Sequence, residues 1–299
     1  MEITLRTHNK YVVIVPWLFV FLWSTGFIGA KYALAYSEPY FLLFLRGGFS
    51  CVSFAILSWV MKVEWPNLSI AFKHMKAGFM LQAMFGVGCF TAISLGMPAS
   101  ITSLIVGMQP ILTALIVTLA FKKSFQPQQW LGLMLGFLGV FLVLNPVASH
   151  DYELTTPAII GSVIGLIGIT TGTLYQKKIN TEGHPIAQIF FQQLSLVITA
   201  GILTLGIEDQ QAHWNVNFVF ALAWLVTIVG VGATLLLMYM IKNGESTKVA
   251  TYFYLVPVFT AFESWMLFGK TISYMGFVGM AVSITGLLLV VRYSKGKQR

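Results

Sequence analysis

Very few residues in this sequence could do chemistry, and most of them stand inside long apolar runs. Glu263 is the one carboxylate clearly within such a run, and Arg46 is a cation in a comparable position. Arg46 lies about six residues, some 9 Å at the helical rise, from the nearer end of its run, and Glu263 about five residues from the end of its own. Low dielectric favours a neutral carboxyl and a nearby guanidinium favours the carboxylate, so such groups can be balanced to take up a proton. Glu263 thus has two readings. It takes up a proton or contacts a cationic substrate group, or it caps a vestibule or forms a structural pair with Arg46. Lys31 is close enough to the end of its run to snorkel to the surface.

Uncharged polar groups are the second set. Gln82, Gln109, Gln192 and Gln193 lie within apolar runs and can each donate and accept hydrogen bonds without the full cost of an ion. Each could bond between helices or touch a substrate. With Trp23, Ser24, Tyr239, Tyr252 and Tyr254 they would make a cavity of rings and amides suited to amphipathic or aromatic metabolites, with plain core packing as the competing role. Trp17, Trp65 and Trp214 fit an interfacial belt instead.

Other chemistries find no support. His8, His74, His150, His184 and His213 are expected at termini or in polar connections, and Cys51 and Cys89 have no metal-ligand spacing. There is no Gly-x-Ser-x-Gly, His-Glu-x-x-His or phosphate-binding loop, so neither an enzyme nor a nucleotide-driven pump is expected, and no metal or cofactor. A channel would call for a filter of repeated carbonyl loops or charged rings, which is not visible either.

The elements that must position these groups are membrane helices. The 299 residues are 57% hydrophobic and 9% charged, against roughly 25% charged in soluble domains. Ten apolar segments fall near 11–35, 40–61, 74–95, 98–121, 128–146, 157–176, 185–206, 217–241, 246–268 and 272–292, long for strands and without their alternation. Placing the N-terminus in the cytoplasm puts fifteen of the eighteen basic residues inside (Arg6, Lys10, Lys62, Lys73, Lys76, Lys122, Lys123, Lys177, Lys178, Lys242, Lys248, Arg292, Lys295, Lys297, Arg299) and one, Lys270, outside. That asymmetry predicts ten spans with both termini cytoplasmic. It also turns the net charge of +8 into a topological signal, with anionic lipid and not nucleic acid as the partner of the basic tail.

Two prolines organise the pattern. Pro110, in Gly107-Met108-Gln109-Pro110, and Pro257, in Tyr254-Leu255-Val256-Pro257, each sit near the centre of a run. Proline breaks a helix there, and hydrocarbon tolerates the break only where protein or a water-filled cavity satisfies the freed backbone. An offset of 147 aligns Pro110 with Pro257, Thr113 with Thr260, Gly132 with Gly279 and Gly139 with Gly286; an offset of 146 aligns Gly26 with Gly172, Lys31 with Lys177 and Pro39 with Pro185. Each half then holds five helices, an odd number, so the copies are expected in opposite orientation. The expected units are 11–146 and 157–292, with cytoplasmic tails 1–10 and 293–299. Gly132-x-x-x-Gly136, Gly276, Gly279 and Gly286 are expected to pack within the bundle, a homodimer contact being the alternative to a monomer.

At this point the residues resemble a family. Trp23-Ser24-Thr25-Gly26-Phe27-Ile28-Gly29-Ala30-Lys31 looks like the first-helix motif of EamA-type drug/metabolite transporters, Arg46 matches the arginine that commonly follows, and 103–123 and 252–270 resemble the fourth and ninth helices. The resemblance covers essentially the whole chain. It implies ten helices, a central cavity between the halves, residence in the cytoplasmic membrane, and export or exchange of amino-acid-like, aromatic or drug-like metabolites by alternating access, with import as the alternative. Lys122-Lys123 stands where many relatives have Gly-Glu, and Phe268-Gly269-Lys270 likewise lacks the acid, so no coupling role is carried over there.

Overall fold

Prolines and short polar side chains set where the helices begin. Pro39, Pro127 and Pro185 each open a helix, where the missing N–H would have no intrahelical partner anyway. Asn67 and Asn215 cap two others by accepting from Ile70 N and Phe218 N. The computed structural model describes residues 8–122, 124–144, 155–179, 182–244, 246–268 and 274–294. Arg6, Lys123, His150, Asp151, Glu153, Lys270, Lys295, Lys297 and Arg299 lie outside the described residues.

Ten helical segments follow in order: α1 (His8–Ala33), α2 (Pro39–Val60), α3 (Leu68–Ser94), α4 (99–121), α5 (Pro127–Leu144), α6 (Thr156–Ile179), α7 (Pro185–Ile207), α8 (Val216–Asn243), α9 (246–268) and α10 (Tyr274–Ser294). Eight contain a stretch long and apolar enough to cross a membrane; α5 is a shorter apolar helix and α9 is interrupted. The one β-bridge among the described residues joins Ser37 to Ala212.

One boundary differs from expectation in a way that matters. The apolar run predicts α3 from about residue 74, but the helix begins at Leu68, because the Asn67 side chain caps it and amphipathic residues fill its first turns. His74, expected in a connection, is therefore helical and fully buried.

Helix pairing is symmetric between the halves. The most extensive contacts join α5 with α10 and α2 with α7, and α1 packs on α8 as α6 packs on α3. Gly26 of α1 faces Val229 of α8, and Gly172 of α6 faces Leu81 of α3. In the α5–α10 pair a Cβ on Gly132 would meet the Gly286 carbonyl, and one on Gly139 would meet that of Gly279. Shifting the first contact by the repeat offset of 147 gives the second, so the glycines do pack the bundle from within.

Helical irregularities repeat too. A π-helical turn interrupts α3 at Phe79–Met84 and α8 at Leu225–Ala233. α4 breaks at Gly107–Met108 and restarts at Gln109–Pro110; α9 passes through a 3-10 turn at Tyr252–Tyr254 before Leu255. Each proline thus lies in the first turn after its break, where it is tolerated.

Two sets of contacts tie the halves at their ends. The Glu208 carboxylate accepts from Tyr40 N (2.8 Å) and Phe41 N (2.7 Å) at the start of α2, while the Glu38 carboxylate accepts from Asp209 N (3.3 Å) and Gln211 N (2.9 Å). At the other end Lys73 pairs with Glu182 at 2.6 Å, and His74 Nε2 lies 2.6 Å from the Glu182 carbonyl oxygen, which also accepts from Gln188. The first latch joins the α1–α2 connection to the α7–α8 connection. The second joins α6–α7, its repeat counterpart, to the beginning of α3.

Candidate functional site

Helix breaks and π turns free backbone groups, and small residues let neighbouring helices approach; polar side chains can survive at membrane depth only where such irregular packing surrounds them. The residues of interest collect around α1, α4, α6, α7 and α9.

On α1, Trp23 is 3% exposed, its ring centroid 5.5 Å from Phe85 and 5.8 Å from Phe253, with Phe19 at 5.3 Å. The next residue, Ser24, is fully buried and its hydroxyl donates to Glu263 Oε1 of α9 at 2.6 Å. Glu263 is 2% exposed and its Oε2 is sealed without a hydrogen-bond partner. The sequence offered Arg46 as its partner. The structure does not pair them: the one ion pair among the described residues is Lys73–Glu182. Ser24 takes that place because α1 packs directly on α9, whereas Arg46 sits on α2 with its guanidinium 5.9 Å from the Phe90 ring of α3.

The amides lie mostly along one side of α6. Gln109, at the α4 restart, donates to Thr173 Oγ1 at 3.4 Å, and its Oε1 is sealed and unpartnered. One helical turn on, Gln176 donates to Gln188 Oε1 at 3.1 Å and accepts from Gln192 at 2.9 Å. Gln193 is buried with neither amide atom partnered, and Gln82 is buried in the α3 π turn. Gln176 and Gln188 were not singled out from the sequence, although both are amides inside apolar runs and the same criterion finds them.

Other expected residues are placed differently from one another. Pro110 and Pro257 are buried beside their breaks. Tyr252 is half-buried against the main core. Tyr254 is fully buried, its hydroxyl donates to the Leu133 carbonyl of α5 at 2.8 Å, and its ring lies where a Cβ on Gly136 would be. It holds α9 on α5. Tyr239 is 42% exposed and stands apart from the buried set. Trp17, Trp65 and Trp214 are exposed, and Cys89 is buried while Cys51 is half-buried.

The arrangement is one of buried polar groups from both halves with unfilled hydrogen-bonding capacity among aromatic rings. No group of three or more metal-ligating side chains occurs among the described residues.

Comparison with known proteins agrees with this architecture. The chain is 25% identical over 293 residues to the uncharacterized transporter YvbV of Bacillus subtilis, covering 93% of this chain and 91% of the relative. It is 26% identical over 294 residues to a "Probable amino-acid metabolite efflux pump" of Salmonella typhimurium, covering 92% of each. It is 24% identical over 297 residues to an "S-adenosylmethionine uptake transporter" of Rickettsia bellii, covering 97% of this chain and 96% of the relative. A crystal structure with 13% identity matches the fold with a TM-score of 0.76, over 95% of this chain and 98% of its own. The profile of the EamA-like transporter family matches twice, at residues 11–145 and 156–292, and the chain belongs to that family of multi-pass membrane transporters.

Proposed function

We propose that this protein is a secondary transporter that moves small amino-acid-like, aromatic or drug-like metabolites across the cytoplasmic membrane by alternating access. The observation that carries the reading is the set of buried, incompletely satisfied polar groups at the contacts between halves, Gln109 on Thr173 and Ser24 on Glu263. An unfilled buried donor or acceptor costs roughly 1–3 kcal/mol, so a bundle that keeps several has a use for them. Substrate atoms and water supply the missing partners in turn.

The two units are 11–146 and 157–292 in opposite orientation, with both termini in the cytoplasm. Under that orientation the Glu38–Glu208 latch closes the outer face and the Lys73–Glu182 latch the inner face. Rocking of one half on the other opens one latch while the other holds. Export or exchange is the favoured direction, in keeping with the efflux pump among the relatives; the uptake transporter among them supports import as the second reading. Glu263, carrying and releasing a proton as Ser24 moves with α1, is the proposed coupling group.

Purified protein in liposomes loaded with a metabolite extract should show counterflow: labelled substrate accumulates against unlabelled substrate, and the rate saturates. Flux that rises without saturation and shows no counterflow would instead describe a channel.

A further inference from the structure

Arg46 is 5% exposed, yet none of its nitrogens has a hydrogen-bond partner among the described residues and no carboxylate pairs with it. A guanidinium carries five N–H donors in a fixed planar fork. Leaving that fork unanswered at membrane depth is among the most costly arrangements a helix bundle can hold. Its position is not superficial, since α2 begins seven residues earlier at Pro39, a depth of about 10 Å. Snorkelling to the surface is also absent: the guanidinium carbon stays 5.9 Å from the ring of buried Phe90.

The repeat supplies an internal control. The counterpart of Arg46 in the second half is Gln192, one offset of 146 away. Gln192 is equally buried, but its amide nitrogen finds Gln176 of α6 at 2.9 Å. The residue in α1 that corresponds to Gln176 is Ala30, which has no polar atom to offer. The half that holds the charge has therefore lost the partner that the other half keeps. Nε is the one nitrogen of Arg46 that is completely sealed and unpartnered, so the slight exposure the side chain keeps leaves the outer edge of the fork, with its two terminal nitrogens, as the side from which a partner would come. Gln193, also without partners, is sealed at both amide atoms and offers no such access.

We infer that Arg46 is the receptor for a carboxylate on the transported solute, held in a two-point hydrogen bond on the guanidinium edge beside Phe90. This rests on the transporter reading and narrows it: the substrate class is small organic acids and zwitterions, with the apolar remainder against the α3 aromatics. A carboxylate matches the planar fork in a way that a hydroxyl, amine or neutral amide does not. A lipid phosphate is the other anion with suitable chemistry, and the experiment separates the two.

Full-length protein, stripped of lipid in an uncharged detergent, is heated while its tryptophan fluorescence is followed, in the presence of matched pairs: phenylalanine and phenylalaninamide, leucine and leucinamide, 3-phenylpropionate and 3-phenylpropionamide. At least one acid should stabilise the protein saturably, with about tenfold or greater advantage over its amide, and Arg46→Gln should erase that difference. Arg46→Lys, which keeps the charge without the fork, should retain the preference at lower affinity and serves where the glutamine variant does not fold. Absence of any acid-over-amide preference in the wild type overturns the inference, as does its persistence in Arg46→Gln. An Arg46-dependent shift with phosphatidylglycerol and with none of the acids assigns the site to lipid and overturns it too. The transport reading fails separately: Arg46-dependent acid binding without counterflow in liposomes rejects the carrier and keeps the site.

Discussion

Glu263 and Arg46 were both visible in the sequence as ions inside apolar runs, but their partners were not, because partners come from whichever helix the fold brings alongside. Ser24 lies 239 positions from Glu263 and reaches it at 2.6 Å. Replacing Glu263 by Gln keeps an acceptor for that hydroxyl and removes the titrating group. The variant should fold normally, lose about tenfold or more of uptake driven by a pH gradient, and retain substrate exchange, as read by parallel pH-jump and counterflow assays. A second residue-scale test concerns Lys122, which ends α4 in a left-handed conformation at φ 51°. Non-glycine residues pay roughly 1–2 kcal/mol there. Lys122→Gly should therefore raise the unfolding temperature, and an unchanged or lower value would show that the lysine makes a compensating contact.

At the scale of elements, hydropathy and the proline pair marked all ten helices to within a few residues, with α3 the clearest miss. Apolar content cannot see an amphipathic first turn that is held by an asparagine cap and buries a histidine against another loop, as Asn67 and His74 do. Nor can it see a π turn, which has no residue signature of its own. Glycine spacing was legible, and its energetic weight is testable. A Cβ at Gly139 would run into Ser283 and the Gly279 carbonyl, both on a backbone that cannot yield. Gly139→Leu should destabilise the protein by about 1–3 kcal/mol or more in thermal or denaturant unfolding, while Gly206→Ala, with nothing within 4 Å of the new carbon, should cost little and serves as the matched control.

At the scale of the whole molecule, the sequence repeat foretold which helices correspond but not how unequally the two halves are furnished. Gln109–Thr173 joins α4 to α6 and Ser24–Glu263 joins α9 to α1, which are equivalent contacts, yet the polar pair sits at different heights in each. The latches are unequal as well. One holds backbone N–H groups with two carboxylates, and the other adds to the buried His74 contact with the Glu182 carbonyl an ion pair whose side chains are 42% and 30% exposed. An exposed pair is worth at most about 1 kcal/mol and is screened by salt, so high internal salt and Lys73→Ala should shift the protein the same way, toward inner-face opening. Glu208→Ala should shift it the opposite way. Reaction of single cysteines at each face with an impermeant thiol reagent reads both, and parallel shifts in the two variants would reject the opposed-latch arrangement. A π turn amounts to one residue inserted into an α-helix, and Phe79 and Leu225, where the two π turns begin, stand 146 positions apart. Two separate insertions at matching places are a poorer account than one, so the extra residue most simply entered a single five-helix ancestor and was copied with it. Removing one residue from either turn should then rotate everything beyond it by about 100° and undo an arrangement older than the two-part molecule itself.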